Sequence, residues 1–108
     1  MLEIRGYNMV KEEERMTEED ELRVLKCLGN EIRYRILKLL EEEERSVGEI
    51  VEELEERQTL ISHHLRSLQD CGLVEKRREG RKRIYRLADP RISKFLSKVS
   101  DLAKDFCQ

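Results

Sequence analysis

The sequence predicts a mainly α-helical domain with one small β-hairpin. After residue 16, apolar side chains recur at spacings of three and four along most of the chain, as they do on the buried faces of helices. The exception is the segment 73–87, where two short runs flank Gly80. A chain of 108 residues has the length of one domain. We therefore expect four helices, a hairpin and a fifth helix in residues 17–108, after an extension, residues 1–16, without a sustained period.

Charge is distributed unevenly along this chain. Residues 1–56 carry nine basic and eighteen acidic side chains, whereas residues 57–108 carry thirteen basic and six acidic ones. Between Lys76 and Arg86 there are seven basic residues and one acid, Glu79. A hairpin cannot bury this charge, so its side chains meet either solvent alone or a polyanion.

Motifs that would indicate other classes of protein are missing from the sequence. There is no phosphate-binding loop, dinucleotide fingerprint, zinc-protease motif or nucleophile elbow, so we expect no enzyme, no catalytic residue and no cofactor. No apolar run approaches the roughly 20 residues that cross a bilayer, and the first residues do not resemble a signal peptide. Three widely spaced cysteines do not form a disulfide framework. We expect a cytoplasmic protein.

Capping signals mark the starts of the first three helices. They are a Thr17 and Asp20 pair that resembles a capping box, the N-cap Asn30, and a capping box made by Ser46 and Glu49. The third helix ends near Glu55, and only three residues separate it from the next periodic segment. Two short helices joined by so short a turn are typical of a helix-turn-helix.

The fourth helix has two faces that the spacing separates. The buried stripe consists of Ile61, His64, Leu65 and Leu68, with His64 as a satisfied histidine at the core edge. The other face is small, polar and basic, and consists of Thr59, Ser62, His63 and Arg66. Such side chains suit a helix in the major groove of DNA, where Gln58 could also contact an adenine edge or a phosphate.

A basic hairpin follows the fourth helix. Gly72 fits the C′ position that ends this helix, and strands then begin at Leu73 and after Gly80. The hairpin resembles the wing of a winged helix-turn-helix, with a tip that would lie along a DNA backbone or enter the minor groove. The residues expected to hold the backbone are Arg77, Arg78, Arg81, Lys82 and Arg83.

The fifth helix, residues 90–107, begins at a strong signal, Asp89 as N-cap followed by Pro90. Its long apolar stripe either packs on its own domain or forms a dimer seam with the first helix, and we favour the dimer because the small core cannot cover it all. The expected interface residues are Leu22, Leu25, Ile92, Phe95, Leu96, Val99, Leu102 and Phe106.

In order and spacing, residues 28–89 resemble the ArsR/SmtB family of winged-helix repressors. The second helix carries Leu28, Arg33, Ile36 and Leu37, the third Ser46, Val47, Glu49 and Ile50, and the fourth Gln58, Ile61, Ser62, His64 and Leu65. The wing carries Gly-Leu-Val at 72–74, Arg-Arg-Glu-Gly-Arg at 77–81 and Tyr-Arg-Leu-Ala-Asp-Pro at 85–90. The resemblance implies a dimer that binds operator DNA and releases it on binding a metal or on a thiol change.

The chain departs from the family pattern at several positions. Glu31 replaces a common proline, and Arg57 replaces the serine that usually begins the fourth helix. The family's thiolate pair on the third helix would fall at Ser46 and Gly48, and no histidine follows His64, so neither familiar metal site can be built. We expect no metal.

The three cysteines have two interpretations. Cys27 and Cys71 are read as small buried hydrophobes. Cys107, beside the stripe of the last helix, is either a bystander or part of a redox switch with its symmetry mate or with Cys27.

Together these features predict a homodimeric, sequence-specific regulator of transcription, a repressor, whose partners are a pseudo-palindromic double-stranded DNA operator and a second copy of the chain. The alternative is a winged helix that serves as a protein-interaction module, with its basic wing binding an acidic partner.

Overall fold

The computed structural model describes residues 17–107, and the predicted extension of residues 1–16 lies outside them. The helices are α1 (residues 17–28), α2 (Glu31–Glu42), α3 (Val47–Leu54), α4 (Gln58–Asp70) and α5 (Pro90–Phe106). The strands are β1 (Arg45–Ser46), β2 (Val74–Glu79) and β3 (Lys82–Leu87). The prediction of a mainly helical domain with a winged helix-turn-helix arrangement is confirmed.

Side-chain caps begin α2, α3 and α5 where the sequence predicts them. At α5 the Asp89 carboxylate accepts a hydrogen bond from the Arg91 backbone N–H at 2.8 Å. The Asn30 carboxamide oxygen accepts a hydrogen bond from the Arg33 backbone N–H at 3.1 Å at the start of α2. At α3 the capping box is complete, since the Glu49 N–H donates to Ser46 Oγ at 3.2 Å and the Ser46 N–H donates to Glu49 Oε1 at 2.9 Å. Thr17 is helical and is the first residue that the structure describes, so the predicted start of the first helix lies at the limit of the described residues.

The sheet has three strands rather than the two of the predicted hairpin. Its order is β1-β3-β2, and both pairings are antiparallel. In β1, Arg45 lies opposite Tyr85 and Ser46 lies opposite Ile84. This strand joins the middle of β3 to the start of α3. The sequence did not reveal it because two residues are too few for an alternating pattern.

The core lies between the sheet and helices α2 to α5 and also includes Cys27 of α1. Its fully buried side chains are Cys27, Ile36, Leu37, Ile50, Ile61, Leu65, Leu68 and Leu96. Leu96 anchors α5 on its own domain, so the expectation that Leu96 contacts a second copy is wrong. Ile92 also packs partly against this core. The stripe on α5 is thus divided between the domain core and the surface.

Cys27 and Cys71 form a disulfide between α1 and the residue that ends α4. Their Cα atoms are 6.7 Å apart, and 44 residues separate them in the sequence. Cys27 is buried in the core and Cys71 packs partly against it, as their interpretation as small hydrophobes expects, and the two sulfur atoms also pair with each other. A redox role of Cys107 stays a prediction. Cys107 is exposed and is the free cysteine of the described residues.

Candidate nucleic-acid interface

Helix α4 presents the two faces that its sequence predicts. Ile61, His64, Leu65 and Leu68 are its buried residues. The predicted reading residues Gln58, Thr59, Ser62, His63 and Arg66 are all exposed. The apolar stripe therefore attaches α4 to the core and leaves the polar face in solvent. The helix has 13 residues and thus extends about 20 Å.

The N-terminal end of α4, after the turn from α3, has no side-chain cap. Glu55 ends α3 in the left-handed conformation, with φ of 53°, which redirects the chain within a few residues. Arg57 is the N-cap of α4, and its side chain makes no capping hydrogen bond. The first backbone N–H groups of α4 therefore have no side-chain acceptor, and such groups bind anions readily.

His64 connects α4 to α2. Its Nδ1 accepts a hydrogen bond from Arg33 Nε at 3.1 Å, so the imidazole is neutral in this arrangement. Burial, followed by the charges of Arg33 and His63, lowers the pKa of His64. The side chain is 7% exposed, which confirms the interpretation of His64 as a satisfied histidine at the core edge.

The strand register of the wing separates its charges into two faces. On one face Glu75 pairs with Arg86 across the strands, at 2.9 Å between carboxylate and guanidinium. On the same face Arg77 contacts the carboxylates of Glu44, at 2.7 Å, and Glu79, at 3.0 Å. Arg77, expected to hold a DNA backbone, is thus already paired with two acids. This face of the wing is close to neutral.

The opposite face of the wing carries unbalanced positive charge. Arg78 and Arg83 lie directly opposite each other in the register. Both are exposed, and among residues 17–107 neither forms a salt bridge. Arg81 in the turn and Lys82, which lies on the first face opposite Glu79, also form no salt bridge in this part of the chain. Like charges on directly opposed strand positions destabilise a sheet. A bound anion would relieve this repulsion.

The wing and α4 meet at one open cleft of about 470 Å³. Gln58 and Ser62 of α4 line one side, and the basic residues Arg81, Lys82 and Arg83 line the other. Ser46, Val47 and Gly48 at the start of α3 complete it. The last three residues were not predicted as part of the site, although the capping box had located the start of α3. We call these residues the wing cleft.

A second surface feature is apolar and lies on α1 and α5. Its exposed side chains are Leu22, Leu25, Phe95, Leu102 and Phe106, with exposed fractions of 47, 56, 44, 55 and 79%. An open groove of about 510 Å³ lies between the two helices and is lined by Val24, Leu28, Ile92 and Phe95 among others. So much exposed apolar surface on adjacent helices is typical of an interaction surface.

Residues 17–107 hold no cluster of three His, Cys, Asp or Glu side chains arranged for a metal ion. None of their helices combines the length and apolar character of a membrane span.

Comparison with known proteins identifies the family. Residues 30–76 match the family described as bacterial regulatory protein, arsR family. A helix-turn-helix transcriptional regulator of Methanocaldococcus jannaschii is 38% identical over 80 residues, which are 73% of this chain and 90% of that protein. The transcriptional repressor SmtB of Mycobacterium tuberculosis is 41% identical over 66 residues, 61% of this chain and 49% of that protein.

A solved structure agrees with these sequences. The homodimeric winged helix-turn-helix DNA-binding domain from Mycobacterium bovis superposes with a TM-score of 0.82 at 33% identity, covering 87% of each chain. These relatives are regulators of transcription and give no support to the alternative of a protein-interaction module. The chain belongs to the arsR family of bacterial regulatory proteins and is a winged helix-turn-helix transcriptional regulator.

Proposed function

We propose that this regulator is a homodimeric repressor that binds a pseudo-palindromic operator. In each subunit α4 lies in the major groove, and the basic side of the wing follows the adjacent backbone. The observation that carries the proposal is the wing cleft, which places polar side chains of α4 and three cations of the wing on one surface.

The dimensions and chemistry of α4 suit the major groove. This groove is about 12 Å wide and admits one α-helix. Arg66 can make paired hydrogen bonds to a guanine, and Gln58 can make them to an adenine. Thr59, Ser62 and His63 are short enough to reach base edges or nearby phosphates when α4 lies close to the groove floor.

The backbone contacts come from two sources. Arg78, Arg81, Lys82 and Arg83 form no salt bridge among the described residues, so their charges are available to phosphates. The uncapped start of α4 adds backbone N–H donors beside Arg57. Affinity from these groups falls with added salt because each neutralised phosphate releases counterions.

A second copy of the chain covers the apolar surface of α1 and α5. The homodimeric relative from Mycobacterium bovis supports this assembly. A twofold axis between the copies places two α4 helices about 34 Å apart, one turn of the DNA helix, which explains a palindromic operator. The interface residues proposed here are Leu22, Leu25, Phe95, Val99, Leu102 and Phe106, with part of Ile92.

The repressor function is tested on an operator obtained by selection from random duplex DNA. On this operator Arg66→Ala should cost about 1 to 3 kcal/mol in binding, and it should cost less on random DNA. Arg81→Ala should weaken binding to both DNAs alike. Arg35→Ala, which removes an exposed arginine of α2 outside the wing cleft, is the matched control and should change neither affinity.

Either of two results would overturn this proposal. One is a failure of the selection to enrich any sequence at low salt. The other is an unchanged operator affinity after Arg66→Ala, which would mean that α4 does not read the bases. Repression itself is measured with the operator placed over a promoter in an in vitro transcription assay, where transcription should fall as the protein is added.

A further inference from the structure

Helix α4 carries one apolar residue, Leu60, that the proposed function does not use. Leu60 is the third residue of α4 and directly follows the reading residue Thr59. Its side chain is partly buried, yet among residues 17–107 it is not one of the apolar side chains that pack against the core. A single leucine of this kind is ordinary on a protein surface. Its position on α4 is what distinguishes it.

The rotation of the helix places Leu60 at one edge of the exposed face of α4. Successive residues of an α-helix are turned by about 100°, so Gln58 and Leu60 lie on opposite sides of the direction in which Thr59 points. Gln58 faces the wing cleft, and Leu60 lies on the side away from the wing. Both belong to the first turn of α4, and the first residues of a recognition helix are the ones that contact base edges.

An open cleft of about 490 Å³ surrounds Leu60. Glu56 and Arg57 of the turn before α4 line it, together with Thr59, Leu60 and His63 of the helix itself. The Cα–Cβ bonds of a helix tilt towards its N-terminus, so the side chain of Leu60 leans over the first turn. We call these five residues the leucine cleft.

His63 gives the leucine cleft a wall with a fixed position. The ring of His63 lies edge-on to that of His64, with centroids 5.3 Å apart. His64 is buried and accepts the hydrogen bond from Arg33 of α2. A surface that is already held in place loses little conformational entropy when it binds a partner.

The two clefts on either side of α4 differ in charge. The wing cleft contains three cations, whereas the leucine cleft contains one cation, Arg57, and one acid, Glu56. A carboxylate disfavours a phosphate beside it, and Leu60 has no group that can form a hydrogen bond. This side of α4 therefore suits an apolar group on a base edge. In the major groove such a group is the C5-methyl of thymine.

We propose that Leu60 determines part of the sequence specificity by contacting the methyl group of one thymine in each half-site. This inference rests on the proposed function, because it requires that α4 lies in the major groove. The methyl group of the neighbouring Thr59 extends the apolar contact. Burial of one methyl group corresponds to a preference of about fourfold for thymine over a pyrimidine without it.

Deoxyuridine in place of thymidine tests the contact, because uracil pairs as thymine does and lacks only the methyl group. Each thymine of the selected operator is replaced in turn, at the equivalent position of both half-sites. At one position the wild-type affinity should fall by about fourfold for each half-site. Leu60→Ala should bind the thymine and uracil operators equally. Titrations of labelled duplexes at one salt concentration measure both affinities.

Two further variants separate a base contact from a structural role. Leu60→Met keeps a long apolar side chain and a strong helix former, so it should retain most of the preference for the methyl group. Gln58→Ala is the matched control on the opposite edge of α4. It should weaken operator binding and leave the ratio between thymine and uracil unchanged. Circular dichroism confirms that each variant keeps its helices.

A gain of affinity provides a second test at the same position. The thymine is replaced by cytosine, with guanine opposite, and then by 5-methylcytosine, which carries a methyl group on the same ring carbon. The wild type should bind the methylated operator about fourfold more tightly for each half-site. Leu60→Ala should not distinguish the two. Equal wild-type affinities would contradict the inference.

The outcomes distinguish this inference from the proposed function. If no sequence is enriched by selection, the proposed function fails and the role of Leu60 fails with it. If operator binding is specific but no thymine can be found whose methyl group matters, only the role of Leu60 is wrong. A loss on uracil that persists undiminished in Leu60→Ala would assign the methyl contact to another residue and would also overturn this inference.

Discussion

At the scale of single residues, the opposed Arg78 and Arg83 show a conflict between stability and binding. Their direct opposition costs the free protein stability, and the same two charges are available to phosphates. Arg77, one position from Arg78, is paired with two acids. Its charge therefore neither costs the free protein stability nor is available to a phosphate. The wing is therefore not a uniform basic run, although its sequence reads as one.

This conflict predicts opposite effects for one substitution. Arg83→Ala should raise the free energy of unfolding by about 0.2 to 1 kcal/mol, because it removes the cross-strand repulsion. The same change should weaken binding to operator and random DNA alike. It should also reduce the slope of log affinity against log salt concentration by about the amount that one phosphate contact contributes. Thermal unfolding without DNA and binding titrations over a salt series measure the two effects.

Arg77→Ala is the matched control for this pair of effects. It removes contacts to Glu44 and Glu79, so it should slightly lower stability and change DNA affinity less than Arg83→Ala does. A larger loss of DNA affinity from Arg77→Ala would show that its ion pairs open on binding and that the division of the wing into two faces is wrong.

His64 predicts a dependence of stability on pH. Burial lowers its pKa in the folded protein, so the folded state favours the neutral imidazole. The stability from the neutral form is complete above the unfolded pKa of about 6.5 and is lost as the pH falls towards the lowered folded pKa. Protonation would also place a second cation against Arg33, which can only donate hydrogen bonds.

The variant His64→Gln isolates this effect, because its amide oxygen can still accept a hydrogen bond from Arg33 but does not titrate. Between mildly alkaline and mildly acidic buffer, the wild-type melting temperature should fall more than that of the variant. Parallel melting curves at each pH provide the measurement. Equal falls for the two proteins would mean that His64 accommodates its proton without cost.

At the scale of elements, the turn between α3 and α4 contains a strained residue. Glu55 is the only non-glycine residue with positive φ among residues 17–107, and a left-handed conformation costs an ordinary side chain about 1 kcal/mol. Glu55→Gly should therefore stabilise the domain by roughly 0.5 to 1 kcal/mol. Chemical denaturation measures the change.

Glu52→Gly is the control with the opposite expected sign. Glu52 is exposed within α3, where glycine costs about 1 kcal/mol of helix propensity. If both glycine substitutions destabilise the protein, the Glu55 side chain makes a compensating contribution that outweighs its backbone strain.

The elements differ in how far the sequence could predict them. Asn30, Ser46 and Asp89 begin helices through hydrogen bonds that span two or three residues, so a local pattern is sufficient. The strand β1 depends on pairing with Tyr85 and Ile84, which lie 40 and 38 residues from their partners Arg45 and Ser46, and it has no local signal of its own. The same reason hid the contact between Arg33 and His64 and the pairing of Glu44 with Arg77.

At the scale of the whole molecule, the apolar stripe of α5 shows what periodicity alone cannot decide. Leu96 and Phe95 are neighbours in the same stripe, yet Leu96 is fully buried in its domain and Phe95 is 44% exposed. Spacing identifies an apolar face but not the surface that covers it. The polar face of α4 was easier to predict, because side chains that cannot enter the core must face outward.

The position of the dimer surface gives the last prediction. Leu102 is 55% exposed on α5, so Leu102→Glu should leave the fold of the single domain intact. In a dimer through this surface, an unpaired carboxylate would cost about 3 kcal/mol and raise the dimer Kd about a hundredfold. Operator binding should weaken with it, since each monomer then holds one half-site alone.

Sedimentation velocity over a range of protein concentrations measures this change, and circular dichroism confirms that the helices remain. Ser97→Glu, at an exposed position on another side of α5, introduces the same charge and should leave the dimer unchanged. A Leu102→Glu protein that remains dimeric would place the interface away from the end of α5. The exposed Phe106 would then need a different partner, because 79% of its surface would remain in water.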